Sequence, residues 1–183
     1  MAKNSLEEAM FALSAMWGPI TSELVEASRL HIATLAKASP DEDWLDQLRR
    51  DQPFTRELYR DPRHGFVLLA HFEHAGLYRP PHDHGRSWVV YAVQQGESEM
   101  CTYGRVDQPD GACRLVKRDT TLVRAGQSQV YLPGDIHDTL CLSGPALLFR
   151  FTERDLKRED LVDRRVSRFV QQDGLWTSAR AAR

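Results

Sequence analysis

The chain has 183 residues, 42% of them hydrophobic and 27% charged, which fits one compact domain with material left for flanking elements and excludes a disordered chain. Twenty-four Lys and Arg against 26 Asp and Glu leave a formal net charge of −2, so the positive excess that a nucleic acid or an anionic membrane surface requires is absent. The longest apolar runs, such as Phe66–Ala70 and Ala146–Phe149, fall far short of the ~20 residues that span a bilayer, and MAKNSLEEAM has no apolar signal core, so a soluble cytoplasmic protein is expected.

From Leu6 to about Arg50 apolar residues recur at helical spacing: Leu6, Met10, Leu13 and Trp17, then Leu24, Ala27, Leu30 or His31, and Leu35. Two or three helices fit. Gly18-Pro19 separates the first two, and Ser39-Pro40-Asp41-Glu42 offers an N-cap, a first-position proline and early acidic residues for a third helix carrying Trp44, Leu45 and Leu48. After Pro53 the texture turns to short β-branched and aromatic runs. Strands are expected near 65–74, 87–93, 97–106, 113–117, 121–123, 129–132, 138–142 and 146–152. They are separated by Gln95-Gly96, Gln108-Pro109-Asp110-Gly111, Ala125-Gly126, Pro133-Gly134-Asp135 and Ser143-Gly144-Pro145. About eight strands at this spacing predict a mainly β, jelly-roll barrel. From Glu153 to Gln172, residues Leu156, Leu161, Val162, Val166, Phe169 and Val170 share roughly one helical face and predict a docked C-terminal helix, followed by a loose tail over Ser178–Arg183. The expected organisation is a helical segment at 1–52, a metal-binding barrel at 53–152, and a helix and tail at 153–183.

Three widely spaced cysteines, Cys101, Cys113 and Cys141, form no CxxC pair and point to a reduced compartment. The chemistry lies in the seven histidines. On a strand, residues i and i+2 share a face, so His82 and His84 can aim two imidazoles at one point while Asp83 faces away. Pro80-Pro81 cannot donate to a ladder and place the pair at a strand's mouth. His137, just after Pro133-Gly134-Asp135, supplies a third imidazole, and three such ligands leave positions open on a metal for substrate and dioxygen or water.

The string Pro81-His82-x-His84, then Gly96, then Pro133-Gly134-x-x-His137, over residues 65–152, resembles the two motifs of the cupin superfamily, which implies a double-stranded β-helix barrel with His82, His84 and His137 as metal ligands. The usual glutamate after the second histidine is missing, since Gly85-Arg86-Ser87-Trp88 stand there, and this is similar to the three-histidine subset typified by thiol dioxygenases of the cysteine dioxygenase family. Three neutral ligands leave the metal charge to be balanced by an anionic substrate such as a thiolate or an enolate. The resemblance implies Fe(II), with Zn, Ni or Mn as other occupants, and oxidation of a small thiol carboxylate by dioxygen to a sulfinate. Phe54-Thr55-Arg56-Glu57-Leu58 resembles a segment of the same family, implying that Arg56 forks a substrate carboxylate. The family's serine, histidine and tyrosine on the late strands are replaced by Leu148, Arg150 and Thr152. An inward Arg150 requires an anionic partner, either a ligand carboxylate or an acid such as Glu73 or Glu97.

Tyr91, Tyr103 and Tyr131 are further candidate donors to bound oxygen, and of these Tyr91 is the expected catalytic residue. Of His71 and His74 one at most faces inward, as a wall residue, and Cys141 shares a strand face with His137. Two other functions compete with thiol oxidation: a three-histidine dioxygenase acting on an enolisable carbon substrate, and a non-catalytic metal-dependent cupin that binds a small anion.

Overall fold

A computed structural model describes residues 3–109, 113–172 and 174–179. The Asp110-Gly111 part of one expected turn and residues 180–183 of the expected tail lie outside them.

Three helices come first: α1 (Ser5–Met16), α2 (Ser22–Leu35) and α3 (Asp43–Asp51). Asn4 and Glu7 form a reciprocal capping box on α1, and the Thr21 hydroxyl accepts from the Leu24 amide at 3.2 Å to start α2. The third helix begins later than its sequence signal implies. Ser39 Oγ accepts from the Asp41 amide and its carbonyl accepts from Glu42, so these residues close a turn and the helix starts at Asp43. Glu42 instead accepts from the Ser5 amide (2.8 Å) and the Trp44 indole (2.9 Å), tying α3 to the start of α1.

The remaining chain is mainly β: β1 (Arg56–Arg60), β2 (Val67–Glu73), β3 (Tyr78–His82), β4 (Val89–Asp107), β5 (Cys113–Arg124), β6 (Ser128–Tyr131) and β7 (Ile136–Thr152) form one antiparallel sheet of order β1-β2-β7-β4-β5, with β3 on β7 and β6 on β4. β4 and β7 pair along two stretches, Val89–Val93 with 148–152 and Glu97–Tyr103 with 136–143, on either side of a run of bulges that bends both strands, so that β2 and β6 flank one half and β3 and β5 the other. This jelly-roll barrel is the expected architecture, with one difference in how it is cut. Gly96 and Gly144-Pro145 do not end strands; they bend them, so pairs of expected short strands merge into β4 and β7, and 113–117 merges with 121–123 in β5. At Gly96 the backbone has φ +86°, and a Cβ would meet that of Ala146 at 2.8 Å, so only glycine permits the bulge. Two strands, β1 and β3, are additional, and β3 gives little sequence signal because Pro80 and Pro81 remove its ladder donors: its register jumps from Arg79↔Thr139 to His82↔His137.

Alternation along the strands builds two cores. Leu68, Ala70, Phe72, Val90, Ala92, Leu147, Phe149 and Phe151 face the helices, while Val89, Tyr91, Val93, Ala146 and Leu148 fill the barrel. Trp88, 1% exposed, stacks on Trp17 just past α1 and packs against Phe151 (5.4 Å between centroids). Trp88→Ala is expected to destabilise the fold by about 3–5 kcal/mol, measured by chemical denaturation; a loss below about 1 kcal/mol would mean this aromatic cluster does not hold the helices to the sheet.

The expected C-terminal helix is not present. A single helical turn (Arg158–Val162) is followed by a hairpin of β8 (Phe169–Gln172) and β9 (Leu175–Ser178), whose last residue lies within the stretch expected to be loose. Tertiary contacts override the helical period: Phe169 is buried with Cys113 and Ile136, Val166 is buried, and Leu161 and Val162 stay in solvent. Arg164, at φ +51°, breaks the helical path. Among the described residues no helix is long and apolar enough to cross a membrane.

Candidate metal centre

His82 ends β3 and His137 lies directly opposite it near the start of β7, so the sheet register alone brings two imidazoles side by side. His84 stands in the turn beyond β3. Their ring centroids are 4.8 Å (His82–His137), 5.0 Å (His84–His137) and 5.1 Å (His82–His84) apart, and one ligating atom from each lies within 4.8 Å of the others. No other His/Cys/Asp/Glu group of three or more among the described residues converges in this way.

Burial lowers the proton affinity of all three rings, most strongly for His84 and His137, where neighbouring imidazoles act in the same direction, while at His82 the charges of Arg150, Arg168 and Arg79 do so. Their lone pairs are therefore available at neutral pH. The Pro80 carbonyl lies 2.8 Å from His82 Nδ1, which places the proton on that nitrogen and leaves Nε2 to bind. Both ring nitrogens of His137 are buried without a hydrogen-bond partner among the described residues, and a bound cation would relieve the one that carries the lone pair. Tyr131 stacks on His137 (3.7 Å, 9°) and fixes its plane. The residues present thus fit a divalent ion held by three neutral nitrogens, and no carboxylate joins them.

The ligand loop is held from outside by residues that the sequence did not single out. Asp83 Oδ1 accepts from the Gly85 and Ser167 amides (3.0 and 2.8 Å), and the Asp83 amide donates to the Ser167 carbonyl. Glu159, 2% exposed, accepts from the Arg86 amide (3.3 Å) and faces Arg154 and Arg165, both at 3.3 Å. Gly85 turns at φ +63°, and a Cβ there would meet Glu159 at 2.7 Å. Glu159 sits in a charge-rich run that reads as a solvated helix face, so its burial had no local signal.

An open cavity of about 630 Å³ lies over the cluster, with His82, His84, Tyr91 and Arg150 in its wall and His137 buried behind them. The Tyr91 hydroxyl stands 3.5 Å from His84 Nε2. Arg150 pairs with Tyr91 across β4 and β7, its Nε is buried without a hydrogen-bond partner, and it forms no ion pair among the described residues. Neither acid considered for it is engaged with it: Glu73 accepts from Arg79 (2.8 Å) and Glu97 from Arg124 (3.2 Å). Arg56 lies elsewhere, bonded to Asp51 at 2.9 Å, and does not line the cavity. Tyr103 and Tyr78 both donate to buried Asp138, at 2.6 and 2.9 Å. Cys141 is buried in the barrel core with its thiol directed at the carbonyls of Glu73 and Ser143. His74 is exposed, whereas His71 is buried and contacts Thr55 Oγ1 at 2.9 Å.

Burial, reinforced by the charges of Arg150 and Arg79, pushes the His71 imidazole down to about 3. The unfolded chain therefore binds a proton near pH 6.5 that the folded protein refuses, and stability falls as the pH drops from about 6.5 towards 3. His71→Gln is expected to make this acid slope shallower by up to about 1.4 kcal/mol per pH unit, read from denaturation midpoints between pH 7 and 4. An unchanged slope would show that His71 is not held neutral.

No family model matches the chain, and no curated protein matches it. Solved structures do. KdgF from Halomonas sp. aligns at 16% identity over 54% of this chain and 74% of its own, with a TM-score of 0.43. The cupin domain of Cnp3 from Schizosaccharomyces pombe aligns at 12% identity over 54% and 57%, with a TM-score of 0.42. An uncharacterised protein with a double-stranded β-helix domain from Klebsiella pneumoniae aligns at 19% identity over 55% and 70%, with a TM-score of 0.39.

Proposed function

We propose that the chain is a mononuclear, Fe(II)-dependent dioxygenase that converts a small thiol carboxylate to its sulfinate. The observation that carries this reading is Arg150, a cavity-wall guanidinium whose buried Nε lacks a partner among the described residues, in the wall that also holds His82 and His84 of a three-histidine group that no described carboxylate joins. Such a pocket is short of negative charge, and a substrate that brings a thiolate and a carboxylate supplies both missing anions. Fe(II) held by the three histidines would supply a site for the thiolate and the means to activate dioxygen, whereas Zn at the same ligands has no redox change to offer.

The protein's own residues do the positioning. Arg150 forks the carboxylate, in the place that the sequence resemblance assigned to Arg56. The Tyr91 hydroxyl, beside His84, donates a hydrogen bond to whatever anion lies against that ring. Barrel residues Val89, Val93 and Leu148 exclude water from one side. In the overall reaction the thiolate sulfur loses four electrons, dioxygen gains them, and both oxygen atoms end on sulfur.

Oxygen consumption by the iron-loaded protein with cysteine, 3-mercaptopropionate and related thiols tests the reading. Uptake of one dioxygen per thiol with a product two oxygen atoms heavier is expected, and no uptake with any thiol overturns it. Leu148 lies in the barrel core and Thr152 bonds the Val67 carbonyl, so neither offers the late-strand hydroxyl or imidazole of the thiol dioxygenases; this favours, as the second reading, an enolisable carbon substrate or a purely anion-binding role. Oxygen incorporation at carbon, or anion binding without turnover, distinguishes these.

A further inference from the structure

We propose that the molecule bound in this cavity carries, besides its anionic head, an apolar body of several carbon atoms lying along the C-terminal segment; this rests on the reading that Arg150 and the histidine cluster receive an anion. A cavity of about 630 Å³ is in the range that encloses a drug-sized ligand, well beyond the needs of a cysteine-sized molecule. Its chemistry is divided. The barrel contributes the polar end, His82, His84, Tyr91 and Arg150, whereas the wall built by the chain after Glu153 sets Leu156, Leu161, Val166 and Val170 among the charged Lys157, Asp160 and Arg168. Leu156 packs against the barrel's inner core and Val166 is buried, whereas Val170 and Leu161 of the same lining are 38% and 73% exposed. These apolar side chains grade from buried to exposed, ending in a leucine held in water. Of the other cations in the lining, Arg79 is paired with Glu73 and Arg168 with Asp160, and Lys157 is exposed at the surface, so no second buried guanidinium or ammonium demands an anion. An amphipathic carboxylate matches both ends at once.

The segment is firmly placed for this role. The Asp83–Ser167 hydrogen bonds, the His82↔Arg168 bridge and the buried Glu159 fasten it to the same loop that carries His84. A body bound against it is therefore held at a defined distance from the cluster.

Calorimetric titration of the purified metal-containing protein with straight-chain carboxylates from acetate to octanoate is the test. Affinity is expected to rise about fourfold per methylene over the middle of the series. In Leu161→Asp, an exposed position, the rise is expected to stop at shorter chains; in Arg150→Gln every member weakens by a similar factor while the slope persists. Constant affinity from acetate to octanoate, no binding of any member, or an unaltered series in Leu161→Asp overturns the proposal. The titration involves no turnover: steep chain-length dependence without oxygen uptake upholds the apolar wall and rejects thiol oxidation, and oxygen uptake with a flat series does the reverse.

Discussion

His137→Ala is expected to lower metal affinity by more than about 100-fold, so that the purified variant contains almost no metal by elemental analysis. Loss of a supporting outer partner typically costs 10–100-fold, and His137 is itself a ligand candidate with no substitute within reach. Its backbone position follows from pairing with His82 on one side and Thr102 on the other, so an alanine leaves the strand in register and empties one corner of the triangle. Tyr131 loses its stacking partner, but it remains enclosed in the inner core. The change therefore separates metal loss from unfolding, and circular dichroism of the variant should match the parent. His74→Ala, at an exposed position outside the cluster, is the control and should keep its full metal content. Full occupancy in His137→Ala would place the metal elsewhere.

Arg150→Met is expected to raise the KM for an anionic substrate by about 100-fold while stabilising the ligand-free protein by about 1 kcal/mol or more. Both effects have one cause. A guanidinium with a buried nitrogen that lacks a partner carries a desolvation cost in the empty site, and a bound carboxylate relieves it through charge-assisted hydrogen bonds. Methionine removes the cost and the attraction together. Thermal unfolding without ligand and steady-state kinetics with it read the two arms, and a substrate-saturation curve unchanged from the parent would remove Arg150 from the site. A structural arginine gives the opposite stability result, because its removal leaves an acid unpaired; the engagement of Glu73 with Arg79 and of Glu97 with Arg124 argues against that role.

How legible the site was in sequence depended on whether the information was local. His82 and His84 are two residues apart, and the prolines before them set the chain's approach, so their convergence needed only strand geometry. His137 was reachable because a turn precedes it. The family resemblance points to Arg150 as an inward charge, yet whether Glu73, Glu97 or a ligand answers it depends on contacts across strands far apart in the chain. The same limit applies to Arg56, whose pairing with Asp51 depends on how α3 runs into β1. Gly126 and Gly134 do separate strands, whereas Gly96, with the same sign of φ, bends one, since a positive φ serves a turn or a bulge and only the partner strand decides.

The amino-acid sequence by itself determined a mainly β barrel preceded by helices, through its change of hydrophobic period, and it determined the three histidines, through spacings that one strand and one turn convert directly into position. Tertiary structure decided the rest. It turned residues 153–179 from a helix on paper into a strap and hairpin, because burying Phe169 and Val166 and satisfying Glu159 against the ligand loop outweigh a helical period. It also decided which arginine faces the cavity over the histidine cluster, because the partner of a buried charge is set by the whole fold and not by the residues next to it.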